Sequence, residues 1–208
     1  MALADLLLRP GLDANLRLLV AAAAAIWRAD WPTLQLAARL GRERGQPRQD
    51  FEETLLQAVL FYGFPRVITA FEQLAEAWPS ERPPTGGALP EGERERAGRE
   101  LFAAIYGKND EAVRELLRGY HQELHDFVLS AAYGRILTRP HLSGRDREVV
   151  AVAVLATQGQ VRQFAGHARG ARHLGATDEQ LREALVTVFG DGEAHARELD
   201  GWLGRLRT

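Results

Sequence analysis

Apolar positions recur at helical spacing along most of the chain. Residues 18–26, LLVAAAAAI, are apolar on every side, which is the pattern of a helix in the middle of a bundle. Asp13 stands where it can cap that helix, which reads as running to about Arg28. Asp30-Trp31-Pro32 opens the next helix, with proline inside the first turn. That helix is expected to end near Gly41, and polar residues 42–49 connect onward. Phe51, Leu55, Ala58, Val59 and Tyr62 form one stripe, which Gly63 breaks. Pro65 opens another, carrying Val67, Ile68, Phe71, Leu74, Ala75 and Trp78. Stripes of this kind predict core positions.

Residues 79–93 change character: four prolines, three glycines and several charges predict a linker crossing the surface. Helical patterning resumes at Arg94 with Leu101, Ile105 and Tyr106. Residues 110–137 form the longest helical stretch, with an interruption expected at Gly119. Thr138-Arg139-Pro140 ends it, because the residue before proline avoids the helical conformation. The run 149–156 carries no charge and by periodicity alone fits a buried strand or a buried helix. Ser143, three residues before Asp146, favours helix through a capping-box-like spacing. A break falls at Gln158-Gly159. Val161, Phe164, Ala165, Ala168 and Ala171 then recur on one helical face. Gly175 is the expected stop, Thr177 with Gln180 starts the next helix, and the last two helices cover 177–189 and 193–206. The reading is an all-α helical bundle.

Two segments, 18–78 and 149–206, share a layout: an apolar helix, a polar break, a second helix, then an amphipathic pair. AARLG at 37–41 resembles ARHLG at 171–175, and EETLL at 52–56 resembles REALV at 182–186. This register gives the first copy about four extra residues after Gly41. It sets Glu148 opposite Ala14 or a near neighbour and His167 opposite Thr33 or Gln35. The units implied are an N-terminal repeat over 1–78, the linker over 79–93 and a complete C-terminal domain over 94–208.

Composition narrows the function classes. Leu, Ala, Arg and Glu dominate and 46% of residues are hydrophobic, which suits helices with a sizeable core. The formal net charge of -2 provides no field for nucleic acid or anionic membrane. The chain contains no cysteine, so thiol catalysis, disulfides and cysteine-ligated metal are excluded. The apolar run 18–26 is too short to span a bilayer. A cytoplasmic protein is the simplest expectation.

The best chemical lead is an acid and an imidazole. Glu148 lies about ten residues before the bend at Gln158-Gly159 and His167 about eight after it, so at roughly 1.5 Å rise per residue the two stand at similar heights on antiparallel helices. A carboxylate beside an imidazole orients the ring and raises its proton affinity. Such a pair can move protons on a bound substrate; equally, it can be a buried histidine satisfied by a carboxylate. Gln160, Gln163, Phe164, Gly170, Ala171 and Leu174 share His167's face. His121 and His125 have metal-compatible i, i+4 spacing, but one helix supplies too few ligands and no metal is expected.

The stretches YGRILTRPHLSGRDREVVAVAVL (133–155) and HARGARHLGATDEQLREAL (167–185), with LLQAVLFYGFPRVITAFEQLAE (55–76), resemble the carboxymuconolactone decarboxylase family, which includes the alkylhydroperoxidase D-like proteins. The resemblance implies a tandem of the family's helical units and assembly into a homo-oligomer, a trimer or a hexamer. It also implies a site at His167 and Glu148, with no cofactor. In the peroxidase branch two cysteines three residues apart complete the site; Gln160 and Gln163 stand in their places here, and an amide forms no thiolate. Disulfide-dependent peroxidase activity is therefore disfavoured. The decarboxylase branch acts on a small carboxylated lactone, with a histidine as proton donor. Arg135, Arg139 and Arg169 are the candidates for gripping a substrate carboxylate. The residues just before the histidine, Val161, Arg162 and Gln163, depart from the decarboxylase pattern, which carries glutamates there. A non-catalytic ring-forming or ligand-binding member is the alternative.

Overall fold

The computed structural model describes residues 2–80, 87–193 and 195–206. Every regular element among them is helical. The first half contains α1 (Leu3–Leu6), α2 (Ala14–Arg28), α3 (Trp31–Glu43), α4 (Arg48–Tyr62) and α5 (Phe64–Ala77). Next come α6 (Glu91–Tyr106), α7 (Asp110–Tyr120) and α8 (Gln122–Phe127), which passes directly into a π-helical stretch, Val128–Leu137. The chain closes with α9 (Gly144–Thr157), α10 (Val161–His173), α11 (Asp178–Phe189) and α12 (Ala196–Leu206).

Local chemistry accounts for the boundaries. Asp13 accepts from the backbone N–H of Asn15 and Leu16 at the start of α2, and Asp30 accepts from that of Thr33 in α3. Ser143 caps α9 by accepting from Asp146 N at 3.1 Å. Thr177 and Gln180 exchange both bonds of a capping box. Gly159 and Gly175 take positive φ values of 72° and 93°, which lets the chain turn where side-chain-bearing residues are strained. Of the expected linker 79–93, residues 81–86 lie outside the described residues, and 91–93 already belong to α6. The interruption expected at Gly119 falls instead at His121, whose extended backbone (φ -171°) separates α7 from α8. Ile68, expected in the core, is exposed.

The uniformly apolar helices α2 and α9 form the centre. Residues 16–26 of α2 and 147–156 of α9 are buried throughout, and the two helices pack on each other. One hydrophobic core joins them to α3, α4, α5, α10, α11 and α12, so both halves contribute to it. A smaller core of Phe102, Ile105, Leu129, Tyr133 and Leu137 lies between α6 and the π-helical stretch.

The two halves are equivalent in a register different from the expected one. Ala14 and Gly144, Trp31 and Val161, and Arg48 and Asp178 begin matching helices and stand 130 residues apart in each case. Glu148 therefore corresponds to Leu18, not Ala14, and His167 to Ala37, not Thr33 or Gln35. The glycines closing α4 and α11, Gly63 and Gly190, are 127 apart, so the first copy's surplus lies within α4 rather than between Gly41 and Glu52. EETLL and REALV already stand in this register, but the AARLG–ARHLG match does not, because its glycines differ in role. Gly175 ends a helix, whereas Gly41 lies inside α3, where a Cβ would stand 2.6 Å from the Phe51 ring.

Two equivalent polar clusters tie the halves together. Arg17 of α2 donates to Glu183 of α11, to the Arg9 and Pro10 carbonyls and to Thr187. Arg147 of α9 does likewise with Glu53 of α4, the Arg139 and Pro140 carbonyls and Gln57. Arg9 and Arg139 close the outer side of each carboxylate. Each guanidinium is buried, and each carboxylate comes from the opposite half. Burial lowers the proton affinity of both Arg17 and Arg147, and their carboxylates oppose that shift. Burying such charges is tolerable only because each is paired and hydrogen-bonded.

Candidate functional site

Glu148 sits in the second turn of α9, facing the core, with its side chain 2% exposed. The bend at Gly159 returns the chain as α10, and His167 Nδ1 meets Glu148 Oε2 at 2.8 Å. The His167 side chain is 15% exposed. Its Nε2 makes no hydrogen bond with the described residues and retains some contact with solvent, so one nitrogen is held and the other is unengaged. The Phe61 ring lies edge-on to the imidazole at 6.4 Å between centroids. Gln158 donates to the Phe61 carbonyl at 3.0 Å and pins the bend to α4.

Burial pushes the His167 imidazole down, but the Glu148 charge and its hydrogen bond push it up by more, and the net shift is upward. With Nδ1–H donated to the carboxylate, proton exchange with a ligand is left to Nε2. The ring can act there as an acid when charged and as a base when neutral.

Sequence reasoning missed the wall of this site. Tyr106, read there only as part of an apolar stripe, and Tyr133 form a hydroxyl pair at 3.2 Å, with Tyr133 donating. Both rings pack on Phe102. Burial raises the proton affinity of both phenols, and the Glu148 charge raises it further. Glycines allow the close approach. A Cβ on Gly170 would lie 2.6 Å from Ile105 Cγ2 and 2.9 Å from Glu148 Oε2, and one on Gly166 would contact Tyr106 at 3.9 Å. Hydroxyl-bearing aromatics in apolar stripes were the available signal, because a buried phenol needs a partner. The π-helical winding around Tyr133 was not legible; such segments often mark functional sites.

The other candidates are spread more widely. Gln160 precedes α10 and Gln163 lies in its first turn; both are exposed, three residues apart, on the His167 side. Arg169 is exposed, and its charge lowers the proton affinity of Tyr106, partly offsetting the burial. Arg135 is exposed on the π-helical stretch. Arg139 is engaged with Glu53, with Nη2 to Oε1 at 2.8 Å, in the cluster joining the halves. His121 accepts from Glu123 N as the cap of α8, while His125 Nδ1 bonds the Asp126 carboxylate at 2.8 Å. Among the described residues no group of three or more potential ligands is placed to hold a metal ion.

The sequence profile of the carboxymuconolactone decarboxylase family matches residues 1–76 and 122–198. The chain belongs to this family. The two matched segments correspond to the two repeated units of the fold, and in this chain the Glu148–His167 contact lies in the second. One relative is "Peroxisomal protein 2" of Schizosaccharomyces pombe, 27% identical over 135 residues, covering 64% of this chain and 63% of the relative. The chain thus spans less than two thirds of that protein. Another is the "4-carboxymuconolactone decarboxylase" of Acinetobacter baylyi, 27% identical over 95 residues, covering 45% of this chain and 71% of the relative. Among the described residues no helix is long and apolar enough to cross a membrane.

Proposed function

We propose that this family member catalyses proton transfer coupled to decarboxylation of a small carboxylated lactone or related organic acid, with His167 as the proton donor and Glu148 as its charge partner. The observation that carries this reading is the 2.8 Å bond from His167 Nδ1 to a buried carboxylate, with Nε2 left open. In the reaction the bond to the carboxylate carbon breaks and carbon dioxide leaves. The electron pair remains on the adjacent carbon, delocalised into the lactone carbonyl. The imidazolium Nε2 then delivers its proton to a carbon of the resulting enolate and is recharged from water. The raised proton affinity of His167 supports the donor role. Gln160 and Gln163 would offer amide hydrogen bonds to the substrate. Arg169 and Arg135 would meet its carboxylate, while Arg139 is already held by Glu53. A cytoplasmic setting belongs to this reading, since a chain without cysteine needs no oxidising compartment.

The test uses 4-carboxymuconolactone and related carboxylated lactones in deuterated water. Carbon dioxide release with deuterium entering carbon is expected, and His167→Ala should reduce the rate by about 10²–10⁴-fold with the helical content unchanged. Undiminished turnover in His167→Ala would overturn the role of the ring. The absence of turnover from the well-folded parent would favour the second reading, a ring-forming or ligand-binding protein. That reading is supported by large exposed apolar side chains: Phe64 is 70% exposed and Phe127 68%. Assembly into a trimer or hexamer is part of either reading, and native mass measurement tests it.

A further inference from the structure

Along the first half lies a half-open cavity of about 170 Å³, lined by α1, α2, the start of α3 and Thr187 of α11. Its apolar wall includes Leu3, Leu6, Ala24 and Ala25, and its polar border includes Arg28 and Asp30. In the 130-residue register these six correspond to Tyr133, Ile136, Val154, Leu155, Gln158 and Gln160. In that register the cavity is the counterpart of a second-half region that includes Tyr133 and Gln160. Its wall carries leucine where the second half has tyrosine, and alanines where it has valine and leucine. Truncation of buried side chains in a packed interior leaves space that neighbouring elements do not close. The neutral glutamines of the second half are replaced by one cation and one anion.

Both charged groups are held in position. Arg28 Nη1 donates to the Val188 carbonyl at 2.9 Å, and its guanidinium lies 6.0 Å from the Phe189 ring centroid. Asp30 accepts from Thr33 N at 3.2 Å. They form no ion pair with each other. Two opposite charges at one opening, each anchored separately, match a head group that carries both a donor cation and an acceptor anion. A cavity of about 150 Å³ accommodates a body the size of benzene.

We infer that the first half is a second small-molecule site, selective for a zwitterionic amino acid with a branched or aromatic side chain. The side chain fills the space left by Ala24 and Ala25, the α-carboxylate pairs with Arg28 and the α-ammonium pairs with Asp30. Preorganised partners reduce the ordering cost of binding. The site is independent of any turnover at His167.

Binding is measured on the full chain by calorimetry and by amide chemical shifts, with four probes: L-leucine, L-phenylalanine, isovalerate and isoamylamine. Saturable binding of leucine or phenylalanine is expected, with shifts at Ala24, Ala25 and Thr33. Isovalerate and isoamylamine, which each carry only one charge, should bind at least 10-fold more weakly. Arg28→Gln restores the residue of the second half and should weaken amino-acid binding at least 10-fold. Ala25→Leu, also the residue of the second half, should abolish it. His167→Ala should leave it unchanged. Failure of both amino acids to saturate would overturn the inference, as would equal binding of either singly charged probe or binding indifferent to both Arg28→Gln and Ala25→Leu. If Ala25→Leu proves unstable, the surface variant Arg28→Gln decides alone.

Discussion

Gly170 stands so close to Glu148 that a Cβ on it would lie 2.9 Å from the carboxylate Oε2, and the same Cβ would lie 2.6 Å from Ile105 Cγ2. The acid is thereby confined between α10 and α6, which leaves its oxygen aimed at His167. Gly170→Ala should displace either α6 or the carboxylate. A stability loss of about 1–3 kcal/mol is expected in chemical denaturation, the range for an overpacked core site. A change in the His167 titration should accompany it. An unaltered titration at full stability would show that the contact is not restrictive.

The His167 pair makes a signed prediction about pH. The folded imidazole has its proton affinity raised from an ordinary value of 6.5. The stability it contributes is fully present below 6.5 and is lost as pH rises through the folded pKa. Glu148→Gln removes the opposing charge and leaves burial acting, so the imidazole should titrate lower than in the parent. Nitrogen-15 correlation spectra of the ring across pH 5–9 read this directly. Equal titration in parent and variant would remove Glu148 from the mechanism.

The interlocking clusters predict an acid limb. Burial raises the Glu183 proton affinity, but bonds and charges from Arg9 and Arg17 lower it by more, to a net value below the ordinary 4.5. Its contribution is present above 4.5 and fades as pH falls through the depressed folded pKa. Glu183→Gln should therefore flatten the loss of stability in acid. Arg147→Met, which leaves Glu53 with only its outer partner, should cost about 3–5 kcal/mol at neutral pH, the range for breaking a buried pair. Urea titrations at several pH values check both.

Two glycine sites should respond in opposite directions. A Cβ on Gly98 of α6 would stand 2.8 Å from Gly134 N and Leu129 O, where α6 crosses the π-helical stretch. Gly98→Ala should destabilise by about 1–3 kcal/mol and perturb the near-ultraviolet dichroism of the Phe102–Tyr106–Tyr133 cluster. Gly119 of α7 has nothing within 4 Å of such a Cβ. Gly119→Ala should stabilise by about 0.5–1 kcal/mol through helix propensity. The opposite signs would be lost if the crossing were loose.

Much of the local architecture was readable because its causes are local. Asp13, Asp30, Ser143 and Thr177 each cap a helix through a backbone N–H two or three residues away. The Glu148–His167 contact was readable as well. It spans only 19 residues across one glycine-marked bend, and helical rise sets the heights. Tyr106 approaches the site only when α6, from a separate segment, is laid on Gly166 and Gly170. The engagement of Arg139 was beyond reach for a similar reason, since its partner Glu53 is 86 residues away in the other half.

From the order of residues alone came the all-α character, the capped helix starts at Asp13, Asp30, Ser143 and Thr177 and the meeting of one acid with one imidazole, since each depends on propensity, capping and spacing over short stretches of chain. The tertiary structure alone decided the 130-residue register, the crossed arginine–carboxylate clusters, the tyrosine wall and the cavity beside Ala24 and Ala25. Those depend on which distant faces pack together, and burial and charge pairing at that stage select among arrangements that local patterning leaves equally allowed.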